Sequence, residues 1–227
     1  MFKERDNLDI NLNKRLNDFK FNKYYQILIE TNKKTNLTRI TDETEVYYKH
    51  FYDSIVLSKW LNLSNKSLLD IGAGAGFPSI PLKIIEPSLD ITIVDSLNKR
   101  ILFLTELIKQ LDLENIKLIH GRAEEFPLKN NFDFVSSRAV ARLNILVELT
   151  LPFVKIGGYF IAYKSIKYQE ELKEAMSGIK LLGGKVESIK EYLISENEMH
   201  VLIFIKKIKS TPLNYPRIYG KIKKNPL

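Results

Sequence analysis

The chain has 227 residues, 44% of them hydrophobic, no cysteine and a net charge of +8. That is enough apolar material for one well-packed core, and the absence of cysteine rules out disulfides, thiolate zinc sites, cysteine nucleophiles and iron–sulfur clusters. No stretch approaches the roughly 20 apolar residues of a membrane span, and the charged start, Met1 to Asp6, lacks the apolar segment of a secretory signal; a cytoplasmic, monomeric protein without a membrane partner is the expectation.

Residues 1–66 read as a helical extension. Leu12, Leu16 and Phe19 begin a helical periodicity that continues to Ile29, and residues 45–61 repeat aromatics at helical spacing (Tyr47, Tyr48, Phe51, Tyr52). Between them, residues 32–41 read as a polar turn carrying Lys33, Lys34 and Arg39. From Ser67 strands and helices alternate. Strands are expected at 67–71, 91–94, 116–119, 132–135 and 158–163, with helices at 79–85, 99–111, 143–151 and 169–182. This alternation predicts an α/β fold with a mostly parallel sheet and helices on both faces. The end differs: residues 185–194 and 199–205, joined by Ser195-Glu196-Asn197-Glu198, read as an antiparallel hairpin that completes seven strands. The main domain is thus expected at 67–207, followed by a tail at 208–227.

Charge is unevenly spread. Residues 206–227 hold Lys206, Lys207, Lys209, Arg217, Lys221, Lys223 and Lys224 without an acid, which leaves the rest close to neutral. A basic tail of this kind suits a polyanion such as nucleic acid, although solvated lysines alone give the same pattern.

The most informative segment is Asp70-Ile71-Gly72-Ala73-Gly74-Ala75-Gly76-Phe77, between a predicted strand and a predicted helix. Glycines there let the backbone approach a ligand closely. The dinucleotide pattern G-x-G-x-x-G would need glycine at 77, where Phe77 stands, and the third glycine falls at 76 instead. That spacing, with Asp95 closing the second strand where an acid can accept from both ribose hydroxyls, points to S-adenosylmethionine rather than to a pyrophosphate-containing cofactor. The acceptor is narrowed by elimination. Attack through carbon 5 of a pyrimidine needs a cysteine, and the loop after the fourth strand reads Ser136-Ser137-Arg138-Ala139-Val140 rather than the Asn/Asp-Pro-Pro-aromatic loop usual for exocyclic amines. N7 of guanine is nucleophilic without a base and stays in the field, with N7 and O6 forming an acceptor pair on one edge. On the residues alone, a small-molecule methyltransferase or a non-catalytic ribosome-assembly factor of the same fold remains open. Arg138, at the end of the fourth strand, could meet the donor's carboxylate, RNA or Asp70. His50 reads as structural beside Asp53; His120 and His200 complete a histidine set without metal-ligand spacing, so no metal is expected.

Several ordered motifs resemble one family. They are residues 69–78, Asp95-Ser96-Leu97-Asn98-Lys99-Arg100, Gly121-Arg122-Ala123-Glu124-Glu125 and Ser137-Arg138-Ala139, joined upstream by residues 32–38 and 49–54 and downstream by the tail. The chain resembles the glucose-inhibited division protein B family of small-subunit ribosomal RNA guanine-N7 methyltransferases. It departs from that pattern at Thr31, where a tryptophan often stands, and at Ser165, where a glycine often follows the lysine. The resemblance implies a Rossmann-like class I methyltransferase that moves a methyl group from S-adenosylmethionine to N7 of a guanine in 16S-type ribosomal RNA, free or in a 30S-type particle. It implies cofactor contacts at Gly72, Phe77, Ala123, Glu124 and Arg138, with Asp95 on the ribose. Gly74, Gly76 and Ser96 complete the expected pocket. Lys33, Lys34, Arg39, Arg142, Lys164, Lys206, Lys207 and Arg217 form the expected phosphate-contacting rim.

Overall fold

A computed structural model describes residues 9–127, 129–195 and 197–227. The charged start at residues 1–6 and Glu196 of the hairpin turn lie outside the described residues.

Helices α1 (Ile10–Arg15) and α2 (Phe19–Thr35) are each opened by an aspartate whose carboxylate accepts from the first-turn backbone, Asp9 and Asp18 respectively. Helix α2 runs through Asn32-Lys33-Lys34-Thr35 and ends at Asn36 in the left-handed conformation. The polar character of residues 32–35 had suggested a turn; they are a solvated helix end instead. The aromatic run that follows is helical but not uniform: α3 (Glu43–Val46), a π-helical turn (Tyr47–Tyr52), α4 (Asp53–Ile55) and a 3-10 turn (Val56–Lys59). The π-turn fits residues tied to neighbours in several directions, as single π-turns do at functional sites.

Seven strands follow: β1 (Ser67–Ile71), β2 (Asp90–Asp95), β3 (Ile116–His120), β4 (Phe132–Arg138), β5 (Val154–Ser165), β6 (Gly184–Ser195) and β7 (Glu198–Lys207). Their order in the sheet is β3-β2-β1-β4-β5-β7-β6. The first five pair in parallel, and β7 pairs antiparallel to both β5 and β6. Residues 68–71 of β1 and 91–95 of β2 are buried without alternation, as strands covered on both faces must be. Helices α5 (Ser79–Ile85), α6 (Asn98–Gln110), α7 (Leu143–Thr150), α8 (Gln169–Leu181) and α9 (Tyr219–Lys224) complete the fold.

The sheet separates two apolar clusters. One joins α2, the aromatic run, α5 and α6, so residues 9–66 share a core with the sheet rather than forming a separate layer. The other joins α7, α8 and the chain's end, where Ile222 is fully buried. The basic tail at 208–227 therefore ends as a strap laid over α7 and α8.

Strand order reverses direction between β1 and β4, with β2 and β3 on one side of β1 and β4 and β5 on the other. In open α/β sheets such a switch point opens a crevice at the carboxyl ends of the strands. Here that edge holds the glycine loop after β1, Asp95 ending β2, Ala123-Glu124 after β3 and Arg138 ending β4.

Candidate active site

A cavity of about 450 Å³ lies at this edge, within the range usual for small-molecule sites. Gly72, Gly74, Phe77, Asp95, Ser96, Ala123, Glu124 and Arg138 all line it. Gly76 does not. A Cβ there would lie 2.7 Å from both Ile80 Cγ1 and the Tyr24 hydroxyl, so this glycine is demanded by helix packing behind the loop.

The sheet side of the cavity is built from backbone. Gly74, with φ of 62°, turns its N–H onto Asp95 Oδ2 at 3.1 Å. Asp95 Oδ1 accepts from the Leu97 N–H at 3.0 Å, and Arg100 pairs with Oδ2 at 3.1 Å. The carboxylate is thus oriented at the cavity wall before any ligand arrives. Beneath the loop, Asp70 is buried and accepts from the Ser136 hydroxyl (3.0 Å) and the Ser79 N–H (3.3 Å). Burial pushes its carboxyl up to about 7.

Arg138 does not neutralise Asp70. Its guanidinium reaches Asp53 Oδ2 at 2.6 Å, the Lys49 carbonyl at 3.2 Å and His50 Nδ1 at 3.1 Å, and it lies 5.0 Å from the Phe77 ring centre. Asp53 Oδ1 accepts from Tyr192 (2.7 Å) and meets His200 Nδ1 at 2.8 Å. Burial alone would raise the Asp53 carboxyl, but the His200 bond and the Arg138 charge outweigh it and hold it low. Burial opposes the charge on His200 too, and its bond to Asp53 overcomes that and raises its pKa. His50 stacks on Phe77 with ring centres 4.5 Å apart. Burial first, and the Arg138 charge second, hold it down to about 3, so it is neutral at working pH.

Four further residues of the lining were not expected from sequence: Leu37, Thr38, His50 and Tyr219. The first three fall in the upstream motifs quoted above, which gave them no role at the cavity. Tyr219 lies in the strap: its N–H donates to Glu124 Oε1 at 3.2 Å, and Arg122 sits 5.6 Å from its ring centre. Glu124 is thereby fixed by the chain's end, beyond any effect as an acid at a helix start.

The expected basic rim divides. Lys33, Lys34 and Arg39 are exposed near the cavity-lining loop, Lys33 with Glu30 as a partner. Arg142 is exposed and Lys206 partly so, and they pair with Glu174 and Glu187 respectively. Lys164 is mostly enclosed between the Ala141 carbonyl and Glu171. Lys207 is a correction: it is fully buried, donates to the carbonyls of Leu151 and Leu182 and to Thr211, and burial pushes it down to about 8. Arg217 is a second. Its side chain pairs with fully buried Glu148 (2.5 Å) and anchors the strap. Among the described residues no three His, Asp or Glu side chains gather as an ion site, and no helix is long and apolar enough to cross a membrane.

The strand order, the G-x-G-x-G loop, the acid at the end of β2 and the terminal hairpin define a Rossmann-like methyltransferase fold. Solved structures agree on the fold. The TYW2 of M. jannaschii, crystallised with AdoMet, superposes with a TM-score of 0.59 at 18% identity, over 75% of this chain and 80% of that one. A SAM-dependent methyltransferase from Aquifex aeolicus gives 0.58 at 18%, over 75% and 97%. The family profile described as rRNA small subunit methyltransferase G matches residues 17–201. Proteins named ribosomal RNA small subunit methyltransferase G are 51% identical in Lactobacillus johnsonii (91% of this chain, 90% of that one) and 53% in Staphylococcus saprophyticus (91% and 89%). The chain belongs to the rRNA small subunit methyltransferase G family.

Proposed function

We propose that this chain transfers a methyl group from S-adenosylmethionine to N7 of a guanine in small-subunit (16S-type) ribosomal RNA, acting as a monomer in the cytoplasm on free RNA or a 30S-type particle. The observation that carries the reading is the oriented Asp95 carboxylate beside a loop of glycines and alanines, in a chain of this family. An acid held this way suits two ribose hydroxyls, and the Ala123-Glu124 turn, one strand further along, suits the adenine. Phe77 and Arg138 then lie toward the methionyl end.

The methyl donor supplies an electrophilic carbon. N7 of guanine contributes its lone pair to the new N–C bond while the C–S pair returns to sulfur, and the positive charge passes to the base. No proton is lost, so the protein's task is in-line positioning. The exposed Lys33, Lys34 and Arg39, in the segment that brings Leu37 and Thr38 to the cavity, serve as phosphate contacts.

The test is transfer of tritium from labelled S-adenosylmethionine to ribosomal RNA from cells lacking this protein, followed by nucleoside analysis. Label in 7-methylguanosine, lost in Asp95→Ala, is expected. Label in another nucleoside, or none in either free RNA or isolated subunits, would overturn the assignment.

A further inference from the structure

Thr38 and His50 have no part in the contacts assigned above to the methyl donor, yet Thr38 is held more firmly than a loop residue requires. Asn32 Oδ1 accepts from the N–H groups of Leu37 (2.6 Å) and Thr38 (2.9 Å), and Asn32 Nδ2 donates to the Thr38 carbonyl (2.9 Å). The side chain is fixed as well. Thr38 Oγ1 accepts from the Ile40 N–H at 3.1 Å and lies 2.9 Å from His50 Nε2.

The direction of that last bond follows from Arg138. A guanidinium has only donors, so His50 Nδ1, 3.1 Å from Arg138, accepts. The neutral ring then carries its proton on Nε2 and donates it to Thr38. A hydroxyl offers one donor and two acceptor sites. Both acceptor sites of Thr38 are filled, so its own proton points elsewhere, and Thr38 lines the cavity.

The position along the sheet edge says what it meets. Ala123-Glu124 and Asp95 sit at the ends of β3 and β2; Thr38 and His50 gather with Phe77 and Arg138 on the β4 side, past the glycine loop. That is the reactive end. An attacking N7 must keep its lone pair free, so the acceptor left on that edge for a protein donor is the neighbouring O6. A neutral donor serves better than a cation, because the base becomes positive as the methyl group arrives. Resting on the function proposed above, we propose that Thr38 donates its hydroxyl proton to O6 of the acceptor guanine, with His50 and Arg138 as the positioning groups that aim it.

The test uses the full chain with small subunits lacking the modification. Thr38→Val keeps the shape and removes the donor; Thr38→Ser keeps the donor. For each, kcat and KM, the Kd for S-adenosylmethionine by calorimetry and the melting temperature are measured. In Thr38→Val we expect kcat to fall at least about tenfold, with the Kd for S-adenosylmethionine within about twofold, and Thr38→Ser to recover most of the loss. If the Kd for S-adenosylmethionine rises by the factor that kcat/KM loses, the hydroxyl holds the donor's carboxylate and the O6 assignment is overturned. If all parameters stay within about twofold, Thr38 is structural and the proposal fails. Should Thr38→Val not fold, Thr38→Ala read against Thr38→Ser gives the same comparison. A wild-type protein that methylates no guanine fails the function first, before any variant is compared.

Discussion

The two walls of the cavity are held by different forces. On the sheet side, the glycine loop, Asp95 and Ser96 are placed by strand ends and by backbone N–H groups, such as those of Gly74 and Leu97, that converge on one carboxylate. Past the glycine loop, Thr38 and His50 are side chains brought in from the N-terminal segment. Through His50 they hang on Arg138, and so on buried polar links that span 85 residues between Arg138 and Asp53, and 147 between Asp53 and His200. A wall of strand ends can lose a side chain and keep its shape. A wall hung on buried charge cannot, because breaking the pair leaves a charge without water or partner.

The comparison is sharpest at its two aspartates. Asp53 and Asp95 are both nearly inaccessible, but Asp53 serves three side-chain donors whereas Asp95 faces a cavity that water can fill. Asp53→Ala is expected to cost about 3–5 kcal/mol in denaturant unfolding. Asp95→Ala should cost no more than about 1.5 kcal/mol while weakening S-adenosylmethionine binding about a hundredfold, as the loss of two charge-assisted hydrogen bonds implies. Similar stability losses in the two variants would remove the distinction between the walls.

The strap offers a next, smaller test. Arg217→Ala strips buried Glu148 of its guanidinium partner and should destabilise by about 2 kcal/mol. By loosening Tyr219 it should also weaken the methyl donor several-fold. It should leave the salt dependence of RNA binding unchanged. Replacing exposed Lys221, Lys223 and Lys224 by alanine should do the reverse, lowering the slope of log K against log salt by up to about 2–3. A flattened slope in Arg217→Ala would return that residue to the phosphate rim.

The same division explains how far the sequence could be read. All seven strands, the helices between them and the terminal hairpin follow from local periodicity, and Asp95 and the glycine loop follow from short-range spacing. What failed was whatever depended on distant neighbours. Lys207 and Arg217 looked like members of a basic tail, because composition registers charge and not burial; the carbonyls of Leu151 and Leu182 that hold Lys207, and Glu148 that holds Arg217, lie 25 to 69 residues away. Gly76 fitted a ligand-contact pattern, but Tyr24, 52 positions earlier, decides its role. Arg138 was placed at the right strand end, while its partner Asp53 could not be read from spacing. The helix through residues 32–35 was hidden by polar residues, and Thr38 by a loop whose order comes from the side chain of Asn32.

The smallest effect probes the long-range wall directly. His50→Gln keeps an amide acceptor for Arg138 and an amide donor for Thr38 but does not titrate. In the wild type, unfolding releases a histidine with an ordinary pKa near 6.5, whereas the folded ring is held at about 3 by burial and by Arg138. Between those values the unfolded chain binds the proton and the folded protein does not, so wild-type stability falls as pH drops through this window. Arg138, Lys49 and Asp53 face the ring in both proteins. Asp70 and His200, whose raised values act with the opposite sign, are also common to both and cancel in the difference. The stability advantage of wild type over His50→Gln should therefore shrink by about 1–2 kcal/mol between pH 7 and pH 5, read from paired denaturant curves. A constant difference would mean that His50 takes up a proton in the folded state, where Nδ1 could no longer accept from Arg138; the guanidinium would then have to turn away, and with it the link that aims Thr38 into the cavity.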